Sequence, residues 1–240
     1  MRKSLKELRS RQKTSEMHNK VAALFKEFIL GGQDGLVNVL GVILGIAIAT
    51  NDPRIVIIAG LAATFAESFS MAAVAYTSAK AEEDYYESEK SRELREIDEV
   101  PEMEAQEIRE IYSKKGFSGK LLNDIVKTIV KNKKMWVDIM MKEELKLENE
   151  FISPGKSAFV VGLASIVGSF IPLIAFFFLP IGMAVITSVI ISAIALFITG
   201  AIEAKFTVGH WIKKGIQLMV IGMAAAGIGF LVGKLLGVSV

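Results

Sequence analysis

The chain has 240 residues, of which 52% are hydrophobic and 22% are charged. A composition this apolar is unusual for a soluble domain and indicates a membrane protein whose charge is concentrated in part of the chain. The formal net charge of +2 is too balanced to predict a basic face for nucleic acid. The absence of Cys excludes disulfide scaffolds, zinc-thiolate sites and iron–sulfur clusters, and two His residues leave little room for histidine metal sites.

Five apolar stretches are long enough to cross a bilayer, which takes about 20 helical residues. The first two run from Phe28 to Ala49 and from Ile55 to Ala79, and each contains one acid. The 46 uncharged residues from Ser157 to Ile202 would form a helix roughly 70 Å long, more than twice the hydrocarbon thickness. We therefore predict a break at Pro180. A fifth span is predicted from Gly215 to Leu236.

The basic residues that flank these spans predict their orientation. The first 20 residues carry seven Lys and Arg residues, and residues 80–156 are also rich in them, whereas the turn at Pro180 has none. We expect an all-α membrane protein whose N-terminus is cytoplasmic and whose C-terminus is outside. Its predicted parts are a cytoplasmic basic segment (1–27), spans 1 and 2 (28–79), a cytoplasmic acidic helical domain (80–156) and spans 3 to 5 (157–240). A signal peptide cleaved near Ala49 is the alternative, but the leader is long and an acid interrupts the apolar run.

The polar insert holds 19 of the 26 acidic residues, yet apolar residues recur in it at helical spacing. The second span is predicted to continue to Ile97 as one long helix, before a small domain of three or four helices. Pro101 suits the first turn of a helix, Gly116 suits a stop, and Asn132 suits an N-cap. The chain is expected to return to the bilayer at Pro154.

Acidic and sulfur side chains share helix faces in this insert. Two pairs of glutamates with a spacing of three can each direct two carboxylates at one point: Glu93 with Glu96, and Glu104 with Glu107. Met140 and Glu144 share a face by a spacing of four. Carboxylates suit Mg²⁺ or Ca²⁺, and a thioether shifts the preference toward softer ions such as Fe²⁺. The alternative is that the pairs are solvated and Met140 is core, and the insert has no His for a ferritin-like di-iron centre.

Two acids lie at membrane depth, Asp34 in the first span and Glu67 in the second. An ionisable group there costs roughly 2.5–3.5 kcal/mol on insertion scales, so a functional role is the default interpretation. Asn38 lies four residues after Asp34, and Met71 lies four residues after Glu67, so each acid shares a face with another potential ligand. The alternatives are a neutral acid hydrogen-bonded to a neighbouring helix and, for Asp34, a shallow interfacial cap.

Several segments occur in a specific order between these five spans. They are Asp34-Gly35-Leu36, Ala59-Gly60-Leu61, Ser70-Met71-Ala72, Ile97-Asp98-Glu99-Val100-Pro101, and Trp136 followed by Met140-Met141-Lys142 and Glu144-Leu145. With these segments in this order, the chain resembles the vacuolar iron transporter family over nearly its whole length.

The resemblance implies a homodimer of five-helix subunits that exports Fe²⁺, and often Mn²⁺, from the cytoplasm in exchange for protons. It also implies a set of metal ligands in the cytoplasmic domain: Glu93, Glu96, Glu104, Glu107, Met140, Met141 and Glu144. The family's membrane aspartate and methionine correspond to Asp34 and Met71. Some members carry a membrane glutamate at the position of Ala63, and here Glu67 lies one turn later.

The sequence therefore predicts a transporter of divalent metal and not an enzyme. The ion is substrate, with no prosthetic group, and the partners are metal ions, protons, lipid and a second copy of the chain. A membrane-anchored metal sensor or buffer is one alternative, and a passive divalent-cation channel is another. The metal stays open among Fe²⁺, Mn²⁺, Co²⁺ and Zn²⁺. The residue usage suggests a microbial source, so we expect the cell membrane of a microbe, although the sequence leaves open a cell envelope or an organelle membrane.

Overall fold

The computed structural model describes the backbone of residues 5–148, 151–206 and 209–236, and the side chains of 22–148, 151–205 and 209–235. The seven basic side chains of the first 20 positions therefore lie outside the described residues. Every regular element in the described ranges is helical, which confirms the predicted class. The helices are α1 (Leu5–Thr50), α2 (Pro53–Glu99), α3 (Pro101–Lys114), α4 (Gly119–Val130), α5 (Lys133–Ile139), α6 (Pro154–Phe178), α7 (Ile181–Phe206) and α8 (Trp211–Leu236), with a π-helical turn (Met140–Glu144) after α5.

Five of these helices, α1, α2, α6, α7 and α8, are long and apolar enough to cross a membrane, as predicted. The break between the third and fourth spans lies at Pro180, between the end of α6 and the start of α7. α2 has 47 residues and is roughly 70 Å long, so only part of it fits within a hydrocarbon core of about 30 Å. α1 begins at Leu5, earlier than the first apolar stretch, because neither Gly nor Pro interrupts residues 5–30.

The chain divides into two compact units, which we call the membrane unit (Met1–Thr77 and Ile152–Val240) and the polar unit (Ser78–Phe151). Large apolar side chains are exposed on the described surface of the membrane unit: Phe69, Phe178 and Leu235 are 80%, 80% and 82% exposed. Its interior contains fully buried hydroxyl groups, including those of Ser165 and Ser169. Polar groups inside and large apolar groups outside are what a bilayer solvent selects.

Glycines allow α1 to cross α6 closely in the membrane unit. A methyl group at Gly35 would lie 2.4 Å from the carbonyl oxygen of Ser165, and one at Gly168 would lie 1.9 Å from that of Gly32. Two helix backbones can approach each other this closely only where glycine leaves out the side chain. The crossing therefore holds the middle of α1, the segment that carries Asp34, against α6.

The polar unit has its own hydrophobic core, in which Ile108 and Met140 are 0% exposed and Trp136 is 4% exposed. The helix boundaries follow the predicted signals. The side chain of Asn132 accepts a hydrogen bond from the backbone N–H of Met135 at 3.1 Å, which caps α5. Gly116, with φ of +95°, follows the end of α3.

Candidate metal-binding sites

An acidic cluster forms where α2 meets α3 in the polar unit. Only Val100 separates the two helices, and the Pro that follows it starts α3. Across this turn the carboxylates of Glu93 and Glu96 interact electrostatically with those of Glu104 and Glu107. The two pairs, each predicted to share one helix face, thus belong to one group of charges.

Two of these carboxylates are buried and incompletely satisfied. Glu93 is 1% exposed and Glu104 is 5% exposed. The Oε2 atom of each is buried and accepts no hydrogen bond from the described residues. Leaving a buried carboxylate oxygen without a donor is costly, so such an atom calls for a proton or a cation.

The π-helical turn after α5 contributes the third side of the cluster. Leu145 donates its backbone N–H to the carbonyl of Met140 at 3.2 Å, one residue further than in an α-helix. The carboxyl group of Glu144 is hydrogen-bonded to that of Glu107 and interacts with Glu93. Met141, like its neighbour Met140, is almost fully buried, at 2%. Single π-helical turns occur frequently at functional sites.

Burial and mutual repulsion change the titration of the cluster. Burial, with the negative charges of Glu107 and Glu93, raises the pKa of Glu104 to about 7. Partial desolvation and the same two charges raise the pKa of Glu144 to about 7. The pKa of Glu93 is also raised, chiefly by burial, although a hydrogen bond from Arg92 opposes the shift. The cluster therefore binds protons near neutral pH, and a cation would compete for the same oxygens.

Arg92 is a member of this cluster that the sequence analysis missed. Its guanidinium group lies 3.3 Å from Glu93 and 3.6 Å from Glu96, and it also contacts Glu89 at 3.0 Å. Spacings of three and four along α2 place these residues on one helix face, and that spacing is the signal that could have identified Arg92. This cation thus contacts two of the predicted ligands.

The cluster is not yet arranged as a coordination sphere. Across the described residues, no three acidic or histidine side chains already surround one point at metal-ligand geometry. A cation would have to draw the carboxylates together. Carboxylate oxygens and two adjacent thioethers are the donors that this part of the chain can supply to a borderline divalent ion.

A second acidic group joins α1 to α2 in the membrane unit. The side-chain amide of Asn38 donates a short hydrogen bond to Oε1 of Glu67. The carboxyl group of Asp34 is also hydrogen-bonded to that of Glu67. Asp34 and Glu67 are partly buried, and Asn38 is exposed. Met71, one turn further along α2, is partly buried and takes no part in these hydrogen bonds.

A third acid of the membrane unit, Glu27, was not singled out from the sequence because it precedes the apolar stretch. It lies seven residues before Asp34, on the same face of α1. Its Oε1 accepts a hydrogen bond from the hydroxyl of Ser157 at 2.7 Å, and its Oε2 is buried without a donor among the described residues. Acidic groups therefore occur at two levels along this face of α1.

The chain is similar to known proteins over most of its length. The model of the VIT family matches residues 25–234. The chain is 35% identical over 225 residues to Vacuolar iron transporter 1 of Tulipa gesneriana, covering 93% of this chain and 91% of the tulip protein. It is 34% identical over 222 residues to Vacuolar iron transporter 1 of Arabidopsis thaliana, covering 92% and 89%. Protein CCC1 of Saccharomyces cerevisiae is 27% identical over 228 residues, which are 89% of this chain and 69% of the yeast protein.

Proposed function

Because this chain belongs to the VIT family, we propose that it exports Fe²⁺, and Mn²⁺ as a second substrate, from the cytoplasm in exchange for protons. Proteins of this family are transporters, so the prediction that the chain is not an enzyme is confirmed. The names of the relatives support iron as the substrate. The direction of transport, the use of Mn²⁺ and the exchange with protons are our proposals.

The buried carboxylates of the polar unit carry the proposal. Glu93 and Glu104 each have a buried oxygen that accepts no hydrogen bond from the described residues, and buried methionines lie in the same unit. A divalent cation would remove the repulsion between the glutamates and satisfy both oxygens. We assign the metal ligands to the predicted set: Glu93, Glu96, Glu104, Glu107, Met140, Met141 and Glu144. In this assignment the polar unit is cytoplasmic and collects the ion for transport.

The acids of the membrane unit provide the route and the proton exchange. Two adjacent carboxyl groups, such as those of Asp34 and Glu67, repel each other unless they share a proton or a cation. Replacing protons by a divalent ion at such a pair, and the reverse, couples the two fluxes. We propose that Glu67 takes the role of the glutamate that some family members carry at the position of Ala63. Met71 supplies a thioether one turn away.

We further propose that the transporter is a homodimer. Asn38 is exposed in the single chain although it lies at membrane depth. A polar group facing lipid is costly, and a second copy packed on this side would shield it. We expect the protein in the cell membrane of a microbe, whereas the relatives above from Tulipa and Arabidopsis are named as vacuolar.

Reconstitution of the purified chain into proteoliposomes tests this function. A pH-sensitive dye inside the vesicles is read while Fe²⁺ is added outside under anaerobic conditions, and the assay is repeated with Mn²⁺, Co²⁺ and Zn²⁺. Metal uptake with a proton flux in the opposite direction supports the exchanger. Metal uptake without proton movement contradicts it in favour of a channel, and metal binding without any uptake contradicts it in favour of a sensor or buffer.

A further inference from the structure

Arg92 places a positive charge inside the acidic cluster. Its Nη2 lies 3.0 Å from Oε2 of Glu89 and 3.3 Å from Oε1 of Glu93, and its Nε lies 3.6 Å from Oε2 of Glu96. Glu93 and Glu96 belong to the proposed metal ligands, whereas Glu89 does not. The arginine therefore stands between two carboxylates that a metal ion needs and one that it does not need.

We propose that Arg92 sets the metal affinity of the cluster by competing with the ion for the carboxylates of Glu93 and Glu96. This inference rests on the proposed function, because it requires the cluster to bind metal. In the absence of metal, the guanidinium group neutralises part of the negative charge. A divalent ion bound to the free Oε2 of Glu93 and to Glu96 would lie close to the guanidinium group, which must then move away, since two cations at such short range repel each other strongly in a partly buried site.

Glu89 remains available as an ion-pair partner for Arg92 when the metal displaces it from Glu93 and Glu96. It makes the shortest of the three contacts with Arg92, and its own side chain is only 16% exposed. The Arg92 side chain is 43% exposed, so it can rotate toward solvent while it keeps this contact. Residues 89, 92, 93 and 96 share one face of α2. Arg92 can therefore leave Glu93 and Glu96 and keep its contact with Glu89 without movement of the backbone. Glu89 thus favours metal binding without touching the metal.

The competition lowers the affinity for every divalent ion that uses these carboxylates. An ion that binds carboxylates weakly and gives up its water reluctantly, as Mg²⁺ does, is then held out of the cluster. An ion that also accepts thioether ligands gains enough to displace the arginine. Arg92 in this way sets the binding free energy that an ion must exceed before it occupies the cluster.

Isothermal titration of the full-length chain in detergent, with Mn²⁺ and with anaerobic Fe²⁺, tests this role. We expect Arg92→Gln to bind metal about tenfold more tightly than the wild type, the scale of a partly buried charge pair. Arg95→Gln is the matched control, because it removes the same charge from an exposed position on the next turn of α2. We expect it to change Kd by less than about twofold. Equal Kd values for the two variants overturn the proposal.

Glu89→Gln tests the proposal independently, in a chain that still contains Arg92. We expect this variant to bind metal more weakly than Glu87→Gln, which removes the same charge from an exposed position. The effect of Glu89→Gln should disappear in an Arg92→Gln background, because no arginine then needs Glu89 as an ion-pair partner. A Glu89→Gln affinity equal to that of Glu87→Gln, or an undiminished effect in the double variant, contradicts the proposal.

Glu93→Gln separates this inference from the proposed function. Loss of metal binding in Glu93→Gln, together with the tighter binding of Arg92→Gln, supports both. Wild-type affinity in Glu93→Gln contradicts the metal site of the polar unit and therefore the proposed function. Weakened binding in Glu93→Gln with an unchanged Kd in Arg92→Gln overturns only the role of Arg92.

Discussion

The membrane unit holds its two central acids in one small hydrogen-bonded group, in which Asn38 and Asp34 both contact Glu67. The polar unit instead gathers five glutamates into one group of charges, in which Arg92 contacts Glu93 and Glu96. The difference follows from the solvent of each unit. A bilayer makes every unpaired charge expensive, so a neutral amide and a second carboxyl group satisfy the first acid. Near water, repulsion among several carboxylates costs less free energy, and a bound cation would remove it.

This comparison assigns different tasks to the two groups. The membrane group has few members, so each one should be essential for passage of the ion. The polar cluster has seven candidate ligands, so each loss should change affinity more than the maximum rate. The following experiments test that division.

Asp34→Ala should reduce Fe²⁺ uptake into proteoliposomes by at least about tenfold, because Glu67 then lacks the carboxyl group with which it shares protons and metal. Metal binding by the polar unit, measured by titration of the same protein, should stay within about twofold of wild type because the two groups lie in separate units. Thr64→Val is the control, since among the described residues its buried hydroxyl donates a hydrogen bond only to the carbonyl of Gly60 in its own helix. Wild-type uptake by Asp34→Ala would falsify the route through this pair.

Glu104→Gln should weaken metal binding roughly 10- to 100-fold, because it removes a buried carboxylate from the cluster. In flux assays the KM for metal should rise, while the rate at saturating metal should fall less than in Asp34→Ala. Glu102→Gln, an exposed change on the same helix, should leave both quantities near wild type. If Glu104→Gln abolished uptake at saturating metal with unchanged affinity, the division between collecting and conducting acids would be wrong.

Gly35→Ala should destabilise the membrane unit by about 1–3 kcal/mol, because the added methyl group would lie 2.4 Å from the carbonyl oxygen of Ser165. Thermal unfolding in detergent measures this loss, and metal uptake should fall with it. Gly227→Ala is the matched control in α8, where an added methyl group meets no atom within 4 Å. Equal melting temperatures for the two variants would mean that the close crossing of α1 and α6 does not position Asp34.

The metal-free polar unit should become less stable as the pH rises. The pKa of Glu104 is 4.5 in the unfolded chain and about 7 in the folded chain. The folded state therefore holds the extra proton, and its stabilising effect is complete below pH 4.5 and lost as the pH rises through 7. We expect a loss of about 1–3 kcal/mol in the free energy of unfolding between pH 5 and pH 8.

Trp136, buried in the core of the polar unit, reports this unfolding by its fluorescence in urea, in a Trp211→Phe background that removes the other tryptophan. Added Mn²⁺ at pH 8 should restore stability, because a cation replaces the lost proton. Glu104→Gln should flatten the pH dependence, whereas Glu102→Gln should not. A stability that increases with pH in the metal-free wild type would contradict the burial of an unpaired carboxylate.

Local signals in the sequence were enough for the helices and for part of the sites. Pro180 marked the break between two spans, Pro101 the start of α3, and Asn132 the cap of α5. These features depend on a residue and its near neighbours. The pairs Glu93/Glu96 and Glu104/Glu107 were recognised for the same reason, since spacing alone places each pair on one helix face.

The contacts between these elements could not be obtained from spacing. Spacing along α2 could have identified the contacts of Arg92 with Glu89, Glu93 and Glu96, but it could not show that Glu93 and Glu96 join Glu104 and Glu107 once α2 turns into α3. The π-helical turn was missed because a single extra residue does not visibly change the spacing of apolar residues in so short a segment. The hydrogen bond from Asn38 to Glu67 joins residues 29 apart in sequence, and nothing local indicates it.

Hydropathy and residue type thus determined by themselves that this chain is helical, that five helices can cross a bilayer, and which acids are unusual for their surroundings. These are properties of short segments in their solvent, and the free energy of burying each side chain decides them. Which acids share a site, and that an amide supports the pair in the membrane unit, follow only from the packing of the helices. Those outcomes depend on helix crossings such as the one at Gly35, where distances of a few ångströms between remote residues set which charges meet.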